Sequence, residues 1–162
     1  MSKTRPRPEN REPPALTDEE ISRVEDACSR LVYQAAAQAD AGDYLAFADL
    51  FTPDGELVRP DGTSLHGPAA IVASYSQRPV HRQTRHVTSR PVFSKVSSTE
   101  CHATSLVTLW ACDNRLVAGP LGRPVSQPLV LGEFEDWFHF GDDGWRISRR
   151  AARFLMHTPD FP

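Results

Sequence analysis

Residues 34–51, QAAAQADAGDYLAFADLF, mark the place where a long first helix ends and a second helix begins. Gly42 is the residue type that most often ends a helix, because it adopts the left-handed conformation without steric cost. Asp43 is a suitable N-cap for the short apolar segment that follows. The stretch therefore predicts two helices joined by a very tight corner.

Asp40 lies in the last turn of the first of these helices. At about 100° per residue it is about 140° around the helix from the polar stripe of Gln34 and Gln38, on the side of Tyr33 and Ala36. We therefore expect a half-buried carboxylate. Burial without a partner raises the pKa of a carboxyl group and suits it to proton transfer near neutral pH. The alternative is an ordinary polar residue in a helix end.

The first helix has a clear start as well as a clear end. Thr17 and Glu20 have the spacing of a capping box, so the helix is predicted from about Asp18 to Ala41. A third helix is predicted from Ala69 to Tyr75 or Gln77, after a proline suited to a first turn. Residues 1–15 are rich in proline, arginine and glutamate and are expected to form a disordered tail. A single domain is expected over 16–157, followed by a short tail, 158–162.

The pattern changes to period two after Thr84, and β-branched residues become more frequent. Helices followed by antiparallel strands indicate an α+β fold, with a curved antiparallel sheet wrapped around three N-terminal helices and a pocket inside. The segment 113–128 is too long for a tight turn and is either a lid or an extended hairpin tip. Long strands are predicted at 84–95, 99–112, 129–140 and 145–155, after a short pair at 56–59 and 63–66.

Composition excludes several classes of function. The 162 residues carry a net charge of −3 with scattered basic residues, which argues against nucleic acid or an anionic membrane as a partner. No apolar run approaches the length of a membrane span, and no signal peptide is evident, so a cytoplasmic location is expected. Three cysteines without zinc spacing and the absence of HExxH predict no metal, and no phosphate-binding glycine motif calls for a cofactor.

His86 is the second candidate for chemistry, at the start of the first long strand. Histidine titrates in the physiological range, so a histidine across a pocket from a carboxylate is an economical acid–base pair. A lone strand histidine is also a common structural residue. His66 is expected near the pocket rim. Some strand aromatics, Trp110 and Phe134 among them, are expected to contact a ligand.

The chain contains six local patterns in this order: ADAGDY at 39–44, LFTPDG at 50–55, HGPAAI at 66–71, TRHVT at 84–88, GEFED at 132–136 and DGWRISRR at 143–150. Together they resemble the SnoaL-like branch of the nuclear transport factor 2-like superfamily. The resemblance covers about 16–156 and implies a cone-shaped α+β barrel around a pocket. Members include polyketide cyclases, dehydratases related to scytalone and bile-acid dehydratases, steroid isomerases, and small subunits of ring-hydroxylating dioxygenases.

The resemblance also assigns roles. In dehydratase-like members an acid at the end of the first helix and a histidine on the first long strand form an acid–base pair, and these positions fall on Asp40 and His86. The tyrosine that assists them is absent from its usual place, and Tyr33 could substitute for it. The third-strand histidine of scytalone dehydratase falls at about Ser105, and an early-strand tyrosine falls near Arg59. Scytalone dehydration itself is therefore not expected.

The leading hypothesis is a cofactor-independent acid–base enzyme, a dehydratase, isomerase, cyclase or hydratase, acting on a small, largely apolar cyclic or polyketide-like substrate. The alternatives are a non-catalytic small subunit of a dioxygenase-type complex and a small-molecule-binding module. A homodimer is expected by analogy with the family. The expected catalytic residues are Asp40, His86 and Tyr33, and the expected substrate-binding residues are Arg59, His66, Trp110 and Phe134.

Overall fold

The computed structural model describes residues 15–125 and 128–159. Its first helix, α1, spans Asp18–Ala41, as predicted. The Thr17 hydroxyl accepts the Glu20 N–H at 3.3 Å, and the Glu20 carboxylate accepts the Thr17 N–H at 2.9 Å, which completes the capping box. The helix ends at Gly42, where φ is +75°. The capping box and the glycine predicted from the sequence therefore mark the two ends of the helix.

Two shorter helices follow. Helix α2 spans Tyr44–Asp49 and begins where the Asp43 carboxylate accepts the Ala46 N–H at 3.0 Å. Helix α3 spans Gly67–Tyr75, with a proline in its first turn. It begins two residues before the predicted start, because proline fits the first turn of a helix, where its missing N–H is not needed.

The described residues form seven strands: β1 (Phe51–Val58), β2 (Ser64–His66), β3 (Arg82–Thr88), β4 (Val92–Val96), β5 (Glu100–Asp113), β6 (Val130–Gly141) and β7 (Gly144–His157). They make one curved sheet in the order β2-β1-β7-β6-β5-β3, with β4 also paired to β5. Neighbouring strands are antiparallel except β1 and β7, which run parallel. The architecture is the α+β fold predicted from the sequence.

Two strand predictions are corrected by the structure. The strand expected at 56–59 starts five residues earlier, because β1 begins at Phe51, and its register is irregular between Phe51 and Glu56. The single strand expected at 84–95 is divided into β3 and β4, both paired with β5. Pro91 lies in the break, and a residue without an N–H cannot donate to the ladder at that point.

The core lies between α1 and the concave face of the sheet. Buried residues of α1 such as Cys28, Val32 and Ala35 pack with Cys101 and Ala103 of β5. The β5 side chains in this cluster are small, which allows the helix to pack closely against the strand. The odd-numbered residues of β5 are inward, and Trp110 is consequently on the outer face.

The two predicted tails and the predicted long loop are each described only in part. Of the N-terminal tail expected at 1–15, residues 1–14 lie outside the described part of the chain. Thr158, placed in the expected C-terminal tail, extends the pairing of β6 and β7 through its N–H to Leu129 O at 2.9 Å. Residues 114–125 are exposed. Among the described residues, no helix is both long and apolar enough to cross a membrane.

Candidate active site

A cavity of about 300 Å³ opens between α1, α2 and the concave face of the sheet. Its volume is in the range of small-molecule sites. The inner part of the wall is apolar, with alanines from α1 on one side and strand residues on the other. The apolar lining comprises Ala35, Ala36, Ala39, Phe47, Leu57, Val107, Leu109, Val130, Phe134 and Ala152.

His86 lies on the wall of this cavity, on β3, and Asp40 lies behind it at the end of α1. The His86 Nδ1 is 2.6 Å from one carboxylate oxygen of Asp40, and the His86 backbone N–H donates to the other oxygen at 2.7 Å. The Thr84 hydroxyl donates to Asp40 at 2.8 Å. Strand β3 thus presents three donors to one carboxylate, and the two candidate residues of the sequence are in direct contact.

The environment of Asp40 differs from the unpartnered carboxylate that its position in the helix predicted. Burial acts to raise its pKa, but the His86 ring, through its hydrogen bond and its charge, and the donors from His86 N–H and Thr84 outweigh that effect. The pKa of Asp40 therefore lies below its ordinary value. Asp40 is held as an anion at neutral pH, and the expectation of a raised pKa is wrong.

An ionised carboxylate only accepts hydrogen bonds, so the His86 Nδ1 must carry the proton in the short contact with Asp40. In a neutral imidazole the remaining nitrogen, Nε2, then has a free lone pair. Because the Nδ1 side of the ring faces Asp40, Nε2 is the nitrogen available to the cavity that His86 lines. The arrangement holds a base in a fixed tautomer, with the carboxylate as the group that orients it.

A buried ion pair forms a second polar feature of the cavity. Arg150 of β7 donates from Nε and Nη2 to the two oxygens of Asp136 of β6, at 2.6 and 2.8 Å, and the two side chains are 3% and 1% exposed. Arg150 lines the cavity with its guanidinium carbon 4.5 Å from the centre of the Phe134 ring. Sequence reasoning missed both residues of this pair.

The register of β6 and β7 explains why Arg150 was missed. Regular pairing from the Gly141–Gly144 turn would match Asp136 with Arg149. Ser148 is an extra residue, and beyond it Asp136 pairs with Arg150 instead. The extra residue reverses which side chains of β7 face inward from that point on. Arg149 is therefore on the outer face, where its guanidinium lies over Trp137. One sequence signal pointed to this pair: Asp136 lies among aromatic residues, and a carboxylate buried there requires a partner.

Of the residues predicted to bind substrate, Phe134 and Arg59 line the cavity and the others do not. His66 has a side chain that is 72% exposed, with Nε2 3.9 Å from a Glu56 oxygen, outside the cavity lining. Trp110 is 43% exposed and lies on the outer face of the sheet beside Arg123 of the long loop. Both placements correct the expectation that these side chains reach the pocket.

Tyr33, predicted to assist the acid–base pair, is also outside the lining. It is on the same side of α1 as Asp40 but two turns earlier, and 43% of its surface is exposed. Strand β3 covers the helix at Asp40, whereas Tyr33 faces solvent. The expectation that Tyr33 joins the site is corrected by this placement.

The cavity also carries basic side chains that sequence analysis did not single out. Arg78 and Arg82, on either side of a short loop between α3 and β3, line it together with Arg59 and Arg153. In the sequence both lie next to a polar loop, as solvated surface arginines commonly do. No sequence signal therefore distinguishes them from ordinary surface residues. Within residues 15–125 and 128–159, no group of three or more His, Cys, Asp or Glu residues is placed to hold a metal ion.

The comparison with protein families matches residues 20–151 to the SnoaL-like domain. The match covers most of the chain, and the protein belongs to this family. No curated protein matches the chain.

Solved structures with the same fold have diverse names. One, from Novosphingobium aromaticivorans DSM 12444 and provisionally named a scytalone dehydratase, is 22% identical, with a TM-score of 0.71 over 89% of this chain and 93% of that one. A provisionally named aromatic ring hydroxylase from Novosphingobium aromaticivorans is 18% identical, with a TM-score of 0.69 over 85% and 94%. A type 2 hexachlorocyclohexane dehydrochlorinase is 14% identical, with a TM-score of 0.68 over 86% and 93%. At these identities the likeness shows the fold.

Proposed function

We propose that the protein is a cofactor-independent enzyme that moves a proton on a small, largely apolar cyclic or polyketide-like substrate bound in the cavity. One observation carries the proposal: the His86 ring, held by Asp40 at 2.6 Å, lies on the wall of an apolar cavity of about 300 Å³. A non-catalytic subunit has no need of a histidine fixed in one tautomer toward an internal cavity.

The chemistry begins with His86 as the base. Its Nε2 accepts a proton from a C–H bond beside a carbonyl, or from a hydroxyl group, and the ring becomes an imidazolium. Asp40 does not take up the proton; its negative charge stabilises the imidazolium. Proton transfer from a positioned side chain contributes about 10²–10⁴-fold to a rate.

The same proton is then returned. Delivery to a different carbon completes an isomerisation, and delivery to a departing hydroxyl group releases water and completes a dehydration. Arg150 is placed to stabilise negative charge that develops on a substrate oxygen, since it lines the cavity and Asp136 holds two of its nitrogens. Asp136 therefore acts as a positioning residue for Arg150, as Asp40 does for His86.

A model reaction tests the base without knowledge of the natural substrate. 5-Nitrobenzisoxazole is a small aromatic molecule whose ring opens when one C–H proton is removed and the N–O bond breaks. We expect His86→Ala to lower this turnover by about 10²–10⁴-fold. Tyr33→Phe, on the solvent side of α1, serves as the matched control and should retain the activity of the unaltered protein.

Equal turnover by His86→Ala and the unaltered protein would contradict the proposal, provided that circular dichroism shows both to be folded. The class of non-catalytic subunits makes the opposite prediction. A protein of that class would show no His86-dependent turnover and would co-purify with a larger iron-containing subunit.

A further inference from the structure

Three arginines from three different elements line one region of the cavity. Arg59 lies just beyond the end of β1, Arg78 follows α3, and Arg82 begins β3. We call these three residues the arginine cluster. All three residues are partly buried.

The C-terminal part of α3 contacts two residues of the arginine cluster. Arg59 Nη1 donates to the Ser74 hydroxyl at 3.2 Å. The Arg78 guanidinium carbon lies 3.9 Å from the centre of the Tyr75 ring, and Tyr75 itself lines the cavity. Burial lowers the pKa of Arg82, and the nearby charge of Arg78 lowers it further. Positive charges are therefore collected at close range.

Two further arginines of the cavity lining are paired with carboxylates. Arg150 pairs with Asp136, and Arg153 pairs with Glu133. Within the arginine cluster, the side chains that hold Arg59 and Arg78 are a neutral hydroxyl and an aromatic ring. Asp61 is the one acidic residue among the described residues of the lining. Its carboxylate accepts the Thr63 N–H at 3.0 Å, and this hydrogen bond together with the nearby charge of Arg59 lowers the pKa of Asp61.

Like charges in a partly buried site repel one another and raise the free energy of the folded protein, and an anion relieves that repulsion. The planar guanidinium group is suited to bind oxygen anions with paired hydrogen bonds. The cavity thus combines an apolar wall around His86 with an electropositive region.

One residue of the arginine cluster, Arg82, lies on the same strand as the proposed base, His86. Arg82 and His86 are four residues apart on the same strand, so their side chains leave the same face with Cα atoms about 13 Å apart. An arginine side chain reaches several ångströms from its Cα. One bound molecule can therefore contact the arginine cluster at one end and His86 at the other.

We propose that the substrate is a small apolar ring system carrying an anionic oxygen group, a carboxylate or a phosphate, which the arginine cluster binds while the ring lies against His86. This inference rests on the proposed function for the identity of the reacting end. It adds the substrate's charge and the residues that select it.

Calorimetric binding of matched probes tests the inference without turnover. The probes are 2-naphthoate, its neutral analogue 2-naphthamide, 2-naphthyl phosphate and inorganic phosphate. We expect at least one naphthyl anion to bind about tenfold or more tightly than the amide, as one charge-assisted hydrogen bond provides. The preference should shrink in high salt, because screening weakens charge attraction. Inorganic phosphate should bind more weakly than naphthyl phosphate, since it lacks the apolar part.

Variants of single arginines test whether the preference for anions depends on the arginine cluster. Arg59→Gln and Arg78→Gln should each reduce the anion-to-amide ratio about tenfold, while Arg78→Lys, which keeps the charge, should retain part of it. Arg90→Gln is the matched control, because Arg90 is exposed and outside the lining. Thermal melting curves establish that each variant is folded. Comparison of the carboxylate and phosphate arms identifies which anion the cluster prefers.

Three results would overturn the inference: equal affinity for the anions and the amide, an unchanged ratio in folded Arg59→Gln and Arg78→Gln, or binding of none of the naphthyl probes. Failure of the proposed function has a different signature. In that case the anion preference remains and depends on the arginine cluster, but turnover of 5-nitrobenzisoxazole does not depend on His86.

Discussion

The carboxylate of Asp40 accepts hydrogen bonds from both the backbone N–H and the ring Nδ1 of His86, at 2.7 and 2.6 Å. A single side chain from α1 therefore binds both the backbone of β3 and the imidazole on it, and so sets the orientation of the ring. The ring cannot rotate without losing the Nδ1 contact. Such preorganisation reduces the reorganisation needed when charge forms on the base.

The first prediction concerns the tautomer of His86. In the unaltered protein, nitrogen-detected NMR at a pH where the ring is neutral should show the proton on Nδ1 and none on Nε2. In Asp40→Asn the new amide can donate to Nδ1, and the Nε2–H form should become populated. Turnover of the model substrate should then fall by about 10²–10⁴-fold.

Asp26→Asn provides the control for this experiment, since Asp26 is exposed on the same helix. It should leave the tautomer and the turnover as they are. If Asp40→Asn keeps the Nδ1–H form and full turnover, the orienting role of Asp40 is wrong.

The second prediction concerns stability and pH. Because the pKa of Asp40 is lowered in the folded state, the unfolded chain binds this proton more readily as the pH falls. The contribution of Asp40 to the free energy of unfolding should be fully present well above the ordinary aspartate pKa of about 3.9 and be lost as the pH falls through the lowered value.

Urea denaturation measures this contribution as the difference between the unaltered protein and Asp40→Asn. We expect a difference on the order of 1–3 kcal/mol at pH 7, because the hydrogen bonds to the carboxylate are charge-assisted. The difference should shrink toward pH 3. A difference that stays constant from pH 7 to pH 3 would assign the stabilisation to something other than the ionised carboxylate.

The third prediction concerns the buried pair of Asp136 and Arg150. Asp136→Leu leaves a buried guanidinium without its carboxylate, which should cost about 3–5 kcal/mol of unfolding free energy. The double variant Asp136→Leu with Arg150→Met removes both charges and should recover most of that loss. It should still lower turnover if Arg150 stabilises charge on the substrate. Equal stability of the single and double variants would argue against the uncompensated charge as the cause.

The fourth prediction concerns Gly132 in β6, on the cavity wall. A Cβ at this position would lie 2.8 Å from the Arg153 carbonyl oxygen, so Gly132→Ala must displace the backbone of β7. We expect destabilisation of about 1–3 kcal/mol, measured by thermal or urea unfolding. Gly141→Ala is the matched control, because a Cβ there meets no atom within 4 Å and φ is not positive. If Gly141→Ala lowers the stability as much as Gly132→Ala does, the contact of the new Cβ with the Arg153 carbonyl oxygen is not the cause.

Local signals determined the helical part of the fold. The capping box at Thr17 and Glu20 and the positive φ of Gly42 depend on residues within a few positions of one another, so the sequence sufficed to place both ends of α1. The period-two pattern after Thr84 likewise placed the long strands, apart from the break at Pro91. Asp40 and His86 were each identifiable by residue type and position, and the resemblance paired them.

The tertiary structure alone decided which side chains reach the cavity. Trp110 faces outward because the odd-numbered residues of β5 are the ones that face the helices and the cavity. Arg150 faces inward because one extra residue, Ser148, inverts the alternation of β7. A bulge shifts every later side chain to the opposite face, and no local sequence preference determines where it forms.

The state of Asp40 was decided in the same way. From the helix alone, burial predicted a raised pKa, since the donors that reverse the shift come from β3, more than forty residues further along the chain. The sequence therefore determined that a carboxylate and a histidine are present in the right elements. The packing of α1 on β3 decided that the carboxylate is an anion that orients the ring, because hydrogen bonds and desolvation depend on distances that only the folded chain sets.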